Sequence, residues 1–427
     1  MPAKLGLIFF PAYDWAISPS HPEREERLLY THDLLREEGI FDLPGIQEFR
    51  PVEAEPKDLK RVHFFPLDIE TVAALPHLIS AGGAIAAGKL VAEKKAQKAF
   101  ALVRPPGHHA GKVVHGGRGF CNINNEAIMI EKLRSDYGYK RIAIVDTDCH
   151  HGDGSQNIYW HDPQTLFISI HQDGRTLYPG SGAFSELGGP QAWGSTVNIP
   201  LPPETGDQGF LLAIKKIVRP ILDEWKPEII INSAGQDNHF TDPITNMKLT
   251  ARGYAEMSHL INPDIAVLEG GYAIEEALPY TNLAIILSMA GYDYGKVVES
   301  ATLPPPTRPQ VLDYIEKIAD FIHDSRAKPM NPTLTGSVLK DGYWENTYSI
   351  FYDSHPADPK KTPNWPSHIS ELRQERLRDC LDCPGVLIIK SSSAVAKEKT
   401  FVWLPQNPCE KCKKIALNTM ADEKIFS

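Results

Sequence analysis

The densest chemistry in this chain lies in DTDCHHGDG, residues 146–154, which brings Asp146, Asp148, His150, His151 and Asp153 close together. If the backbone is extended there, period-two alternation turns Asp146, Asp148 and His150 to one side. Two carboxylates and an imidazole facing one point repel unless a cation or a protonated histidine offsets them, and a divalent metal does so most directly. Asp237, which closes NSAGQD (232–237), supplies a third ligand. Three protein ligands leave coordination positions open for water and substrate, the arrangement of a catalytic rather than a structural metal. Taken alone, Asp-x-Asp-x-His is also the pattern of a solvated loop or of a magnesium-dependent phosphate site. Three further clusters accompany it: adjacent His108 and His109 in RPPGHHAG, His171 ahead of DGRTLYPGSG, and Tyr272 at the end of EGGY.

These clusters need elements to carry them. Aliphatic and β-branched runs at 5–10, 99–103, 141–145, 165–170, 228–231 and 264–268 read as strands; amphipathic or alanine-rich stretches at 23–38, 71–95, 126–136 and 210–225 read as helices between them. Such alternation, with strands apolar on both faces, implies an α/β fold with a parallel sheet covered by helices on both sides. Ligands of these sheets bind where loops leave the carboxyl ends of the strands, and the clusters follow the last five runs. The composition, 42% hydrophobic and 23% charged over 427 residues, is that of a globular protein with a sizeable core. A net charge of -10 disfavours adhesion to nucleic acid or anionic lipid and favours cationic substrates or protein partners. The first apolar run stops at Pro11, and no other reaches the roughly 18 to 20 continuous apolar residues of a spanning helix. We therefore expect no membrane partner and a cytoplasmic location, with oligomerisation left open.

RPPGHHA, GFCNINN, VDTDCHHGDG, SAGQD and EGGY stand in an order and spacing that resembles the histone deacetylase family, which includes acetylpolyamine and acetoin-utilisation amidohydrolases. The resemblance covers roughly residues 1 to 325 and extends to HPEREERL, Gly82–Gly83 and YPGSG. It implies an arginase/deacetylase-like three-layer sandwich around an eight-stranded parallel sheet, and hydrolysis of an acylated lysine or other acylated amine by metal-activated water. By motif, Asp148, His150 and Asp237 hold Zn2+, with Fe2+ as the alternative because two oxygens and a nitrogen do not choose the metal. His109 is the general base and then acid, and His108 its electrostatic partner. Asp146 orients His108, Asp153 orients His109, and Tyr272 donates to the oxyanion. Phe120 and Tyr178 wall a tube for the four-carbon stem, where the family often has Phe in place of Tyr178; the Gly119 carbonyl accepts the substrate amide N–H. Arg27 resembles an arginine lining an inner acetate channel, although a lone helical arginine is more often a surface charge. Asp68 is the loosest match, to a rim carboxylate, and a potassium beneath the metal is also implied. Acyl-lysine in proteins is the leading substrate and acetylpolyamine-type small molecules the alternative. From other classes, a two-metal arginase-like hydrolase would need carboxylates in place of His108 and His109, and a non-catalytic acyl-amine binder would not need the full set of reactive groups.

Beyond the proline-rich 301–309 and a helical run at 311–323, the texture changes near residue 330. The expected organisation is a catalytic domain over 1–330, an irregular connection over 331–370 and a zinc-ribbon-like domain over 371–427, the last outside the resemblance. Cys380 and Cys383, then Cys409 and Cys412, flank β-like runs at 385–390 and 400–404. Two CxxC knuckles joined by a hairpin describe a structural Zn2+ site, and a unit so small would draw much of its folding free energy from the metal.

Overall fold

The fold is given by a computed structural model that describes residues 2–423 except 19, 276, 300, 301, 354–356 and 358–363. Eight strands form its main sheet: β1 (Ala3–Phe10), β2 (Ile46–Phe49), β3 (Ala96–Val103), β4 (Ile142–Asp146), β5 (Thr165–Gln172), β6 (Thr196–Leu201), β7 (Ile229–Ala234) and β8 (Ile265–Leu268). They lie in the order β2-β1-β3-β8-β7-β4-β5-β6 with every pairing parallel. Alternation along the strands feeds two cores. Ala143 and Val145 of β4 with Leu166 and Ile168 of β5 face one side, and Ile142, Ile144 and Phe167 face the other. Helices Glu26–Glu37, Leu278–Ala290 and Pro309–Arg326 cover the first side; Leu75–Ala92 and Asn125–Tyr137 cover the second. Each buried Leu, Ile or Phe contributes about 1.5–3 kcal/mol, so a sheet shielded on both faces is apolar throughout. This is the three-layer α/β sandwich with a central parallel sheet.

Two of the eight strands are absent from the sequence-based expectation, and they are the two edges. β2 is only IQEF, and β6 carries Pro200, which lacks a ladder donor and is tolerated at an edge. The strands whose loops carry the polar clusters, β3, β8, β7, β4 and β5, are consecutive in the sheet. Helix Leu75–Ala92 is long and apolar enough to cross a membrane by length and composition, yet Ala81, Ala84 and Ala87 are buried in the second core.

The expected irregular connection over 331–370 requires correction. Its described residues include a short helix, Pro332–Thr335, and the strands β9 (Val338–Lys340) and β10 (Tyr343–Tyr352). With β11 (Ile369–Arg378), β12 (Leu387–Ser393) and β13 (Lys399–Trp403) they form an antiparallel sheet in the order β13-β12-β11-β10-β9. Hydropathy concealed it because the inward face of β11 reads Ile369, Glu371, Arg373, Glu375, Leu377. Its buried charges are paired, Arg373 with Glu371 at 2.8 Å, which offsets their loss of water. Remaining residues of the connection, 354–356 and 358–363, lie outside the described residues. The sheet docks on the main body: Val113 packs with Leu377, Leu387 and Ile389, the Tyr352 hydroxyl donates to the Val113 carbonyl at 2.9 Å, and His115 lies 2.7–2.8 Å from the Ser391 and Ser393 hydroxyls.

Candidate active site

Loops that follow β3, β8, β7, β4 and β5 meet in one pocket of about 300 Å³, lined by His108, His109, Gly119, Phe120, Asp148, His150, Tyr178 and Tyr272 among others. Donor atoms of Asp148, His150 and Asp237 lie within 4.8 Å of one another. His150 Nδ1 is 2.8 Å from Asp237 Oδ2 and 3.2 Å from Asp148 Oδ1. Backbone amides hold the carboxylates from behind: Cys149 N–H donates to Asp237 Oδ1 at 2.7 Å, and Gly270 N–H to Asp148 Oδ2 at 2.8 Å. Position 270 has no room for a side chain, because a Cβ there would fall 2.6 Å from Asp237 Oδ2 and 2.7 Å from Asp148 Oδ2.

The electrostatics ask for a cation. Burial works against a charge on His150, yet Asp237 and Asp148 beside it push the ring up to about 10. Asp237 is raised by burial and by Asp148. Two buried carboxylates and an imidazole converging this closely fit a divalent ion with mixed oxygen and nitrogen ligands.

His108 Nδ1 lies 3.0 Å from Asp146 Oδ2, and His109 Nδ1 lies 2.7 Å from Asp153 Oδ1. Although adjacent, the two rings titrate in opposite directions. Burial opposes charge on both, but Asp148 and Asp146 outweigh it at His108 and raise that ring well above 6.5. At His109, burial and the neighbouring His108 win, pushing it down to about 3. Burial also keeps the Tyr272 hydroxyl protonated, far above its ordinary range. The Tyr272 ring packs edge-on to Phe120 at 5.6 Å, with the Arg27 guanidinium 4.8 Å from its centroid.

Arg27 is fully buried, which excludes the surface-charge reading; it donates to the carbonyls of Gly271 and Glu269 at 2.7 and 2.6 Å and pairs with Glu23. His151, the second histidine of the pair, turns away toward Ser181 and Gln156. Asp68 precedes helix Ile69–Val72 at its N-cap position, with no side-chain cap bond, and does not line the pocket. Four participants escaped sequence reasoning. Glu269 accepts from the Gly107 and His108 amides at 2.6 and 3.1 Å; Asp242 accepts from Tyr272 N–H at 2.8 Å. Arg118 pairs with Asp153 at 2.6 Å, and Asp353 lines the pocket from the second sheet. Glu269 is the first residue of EGGY and Arg118 stands next to GFCNINN, so both were findable by position; Asp242 and Asp353 depend on the fold.

The second cluster is different in kind. The Sγ atoms of Cys380, Cys383, Cys409 and Cys412 lie within 4.8 Å of one another, with Cys380 3.7 Å from Cys409 and 3.8 Å from Cys383. A disulfide requires about 2.05 Å, whereas a tetrahedron of roughly 2.3 Å metal–sulfur bonds has edges of about 3.8 Å. N–H groups of Gly385, Cys412 and Arg378 point at these sulfurs at 3.3–3.5 Å, as donors to thiolates do.

Comparison with known proteins identifies the family. Residues 68–287 match the family model described as a histone deacetylase domain. A probable deacetylase of Archaeoglobus fulgidus is 47% identical over 328 residues, covering 70% of this chain and 90% of that protein. The acetoin utilization protein AcuC of Bacillus subtilis is 30% identical over 325 residues, covering 68% and 83%. Among solved structures, the HDA15 HD domain aligns with a TM-score of 0.64 at 26% identity, covering 76% of this chain and 96% of that one. The chain belongs to the histone deacetylase family, whose members hydrolyse amides.

Proposed function

We propose that this protein is a metal-dependent deacylase that hydrolyses the amide of acyl-lysine. The observation that carries the reading is the convergence of the Asp148, His150 and Asp237 donors beside two differently tuned histidines and a protonated tyrosine. A divalent cation on those three ligands, Zn2+ or Fe2+, would supply Lewis acidity toward the acyl oxygen and the attacking water.

The side chains do the rest. With Nδ1 held by Asp153, His109 has Nε2 left to take the water's proton, and its low proton affinity keeps it neutral and ready. His108 stays protonated between Asp146 and Asp148 and adds positive charge beside the reacting centre. The Tyr272 hydroxyl donates to the oxyanion as the carbonyl carbon becomes tetrahedral. His109 then returns its proton to the leaving amine. Phe120 and Tyr178 line the pocket for a narrow alkyl stem, and the Gly119 carbonyl, which accepts from the Cys121 thiol at 3.4 Å, has a second lone pair for the substrate amide N–H. At the other end of the chain, the four cysteines hold a structural Zn2+ in a zinc-ribbon-like unit.

The test is a panel of acetyl-lysine peptides and mono-acetylated polyamines given to the metal-reconstituted protein. Turnover of the peptides supports the reading; strong polyamine turnover with inert peptides replaces it by a small-molecule amidohydrolase.

A further inference from the structure

Strand β10 ends at the active site. The Phe351 carbonyl accepts from the Arg118 guanidinium, which pairs with Asp153, the carboxylate that holds His109. Two residues on, both oxygens of Asp353 face the Gly119 N–H, at 2.9 and 3.1 Å. That amide belongs to a tight loop. Gly119 and Phe120 have φ of 52° and 68°, and a Cβ at Gly119 would fall 2.3 Å from the His109 ring. The second sheet thus holds the loop that forms one wall of the pocket, and it leaves a carboxylate on that wall.

The place of this carboxylate is informative. Asp148 is buried at the metal end, whereas Asp353 is half-buried. Pro106, Phe120, Leu177, Tyr178 and Ile244 make the lining largely apolar, and apart from Asp148 and the histidines, Asp353 is the one charged group among the described lining residues. Among the described residues no salt bridge engages it, and the adjacent cation, Arg118, is held by Asp153. One N–H leaves most of a carboxylate's acceptor capacity open. We propose that Asp353 is a selectivity residue by which the second sheet makes the site prefer acyl amines carrying a further positive charge near the acylated nitrogen; the inference rests on the amide-hydrolase reading above.

The experiment compares substrates that share an acyl amide and differ in charge. One pair is an acetyl-lysine peptide flanked by arginine against the same peptide flanked by glycine. The other is N-acetyl-1,4-diaminobutane against N-butylacetamide. Each is assayed on wild type, Asp353→Asn and Asp353→Ala. Asparagine still accepts from Gly119 but has no charge, so the cationic-to-neutral ratio of kcat/KM falls about five- to tenfold, through KM, the size expected for a partly exposed charged contact. The pair that shows the fall identifies whether peptide or small amine supplies the charge. Asp353→Ala also frees the loop, and lowers neutral-substrate turnover further than Asp353→Asn does. An active wild type with no charge preference, or a preference that survives Asp353→Asn, overturns the inference alone. A wild type inert toward every acyl amine overturns the function beneath it as well.

Discussion

The two metal-type clusters of this protein sit in opposite kinds of surroundings. The Asp148, His150, Asp237 cluster stands on the loops that follow β4 and β7, neighbouring central strands of a sheet buried on both faces, and its groups keep their places through backbone amides and packed glycines. Around the four cysteines the packed residues are few: Val386 and Ala416, with Val402 and Ile415 at the margin, and the cysteines themselves. A large core can hold repelling carboxylates together and wait for an ion. A small one has little besides the ion to hold it. On the proposed reading, the difference teaches that one metal would serve chemistry on a finished scaffold, while the other would finish its scaffold.

The largest effects test the chemical side. His109→Ala is expected to lower kcat about 10²–10⁴-fold and Tyr272→Phe about 10²–10³-fold, both with unchanged circular dichroism; near-normal turnover in either variant would show that the roles are misassigned. On the other side, Cys412→Ser should remove one of two bound metals and strip hydrogen-exchange protection from residues 380–423, while β3, β4, β7 and β8 stay protected. Loss of protection across both sheets would erase the distinction between scaffolds. Gly270→Ala asks how well finished the first scaffold is: the Cβ collides with both ligand carboxylates, so catalytic metal affinity should fall roughly 10- to 100-fold by titration, with no change at the cysteines.

The smallest effect concerns the seam. Lys112 is buried beneath the second sheet, its ammonium 4.5 Å from the Trp403 ring, and burial pushes it down to about 8 from 10.5. Because the folded value is depressed, the charged form costs the folded state below about pH 8, and that cost fades as pH rises toward 10.5. Lys112→Met should therefore raise stability at pH 7 by about 1 kcal/mol, the contact with Trp403 offsetting part of the gain. The advantage should shrink across pH 8 to 10.5; denaturant midpoints at those pH values measure it.

How much of this is legible in the sequence follows from the same physics. The central strands announce themselves as continuous aliphatic runs because both faces are covered, and each ends in its polar cluster, so the candidate ligands, the histidine pair and Tyr272 stand out in the order of residues, and the family resemblance supplies their proposed roles. Edge strands β2 and β6 are short or proline-bearing and give no such signal. Strand β11 buries Glu371 and Arg373, so alternation of hydropathy, the usual mark of a half-covered strand, is missing. Asp353 stands 234 residues from its partner Gly119; only the docking of one sheet on the other joins them. Arg27 illustrates the opposite case, a charge that looks superficial in the sequence and proves to be fully buried.

The central claim is that amide hydrolysis takes place at Asp148, His150 and Asp237 and needs their metal. The direct measurement is acetate release from an acetyl-lysine peptide by metal-free protein titrated with Zn2+ or Fe2+, beside Asp237→Asn treated alike. Activity that rises with the first metal equivalent beyond that held by the cysteines, and that Asp237→Asn fails to recover, is the predicted result. Full turnover by the metal-free protein, or by Asp237→Asn, would contradict it.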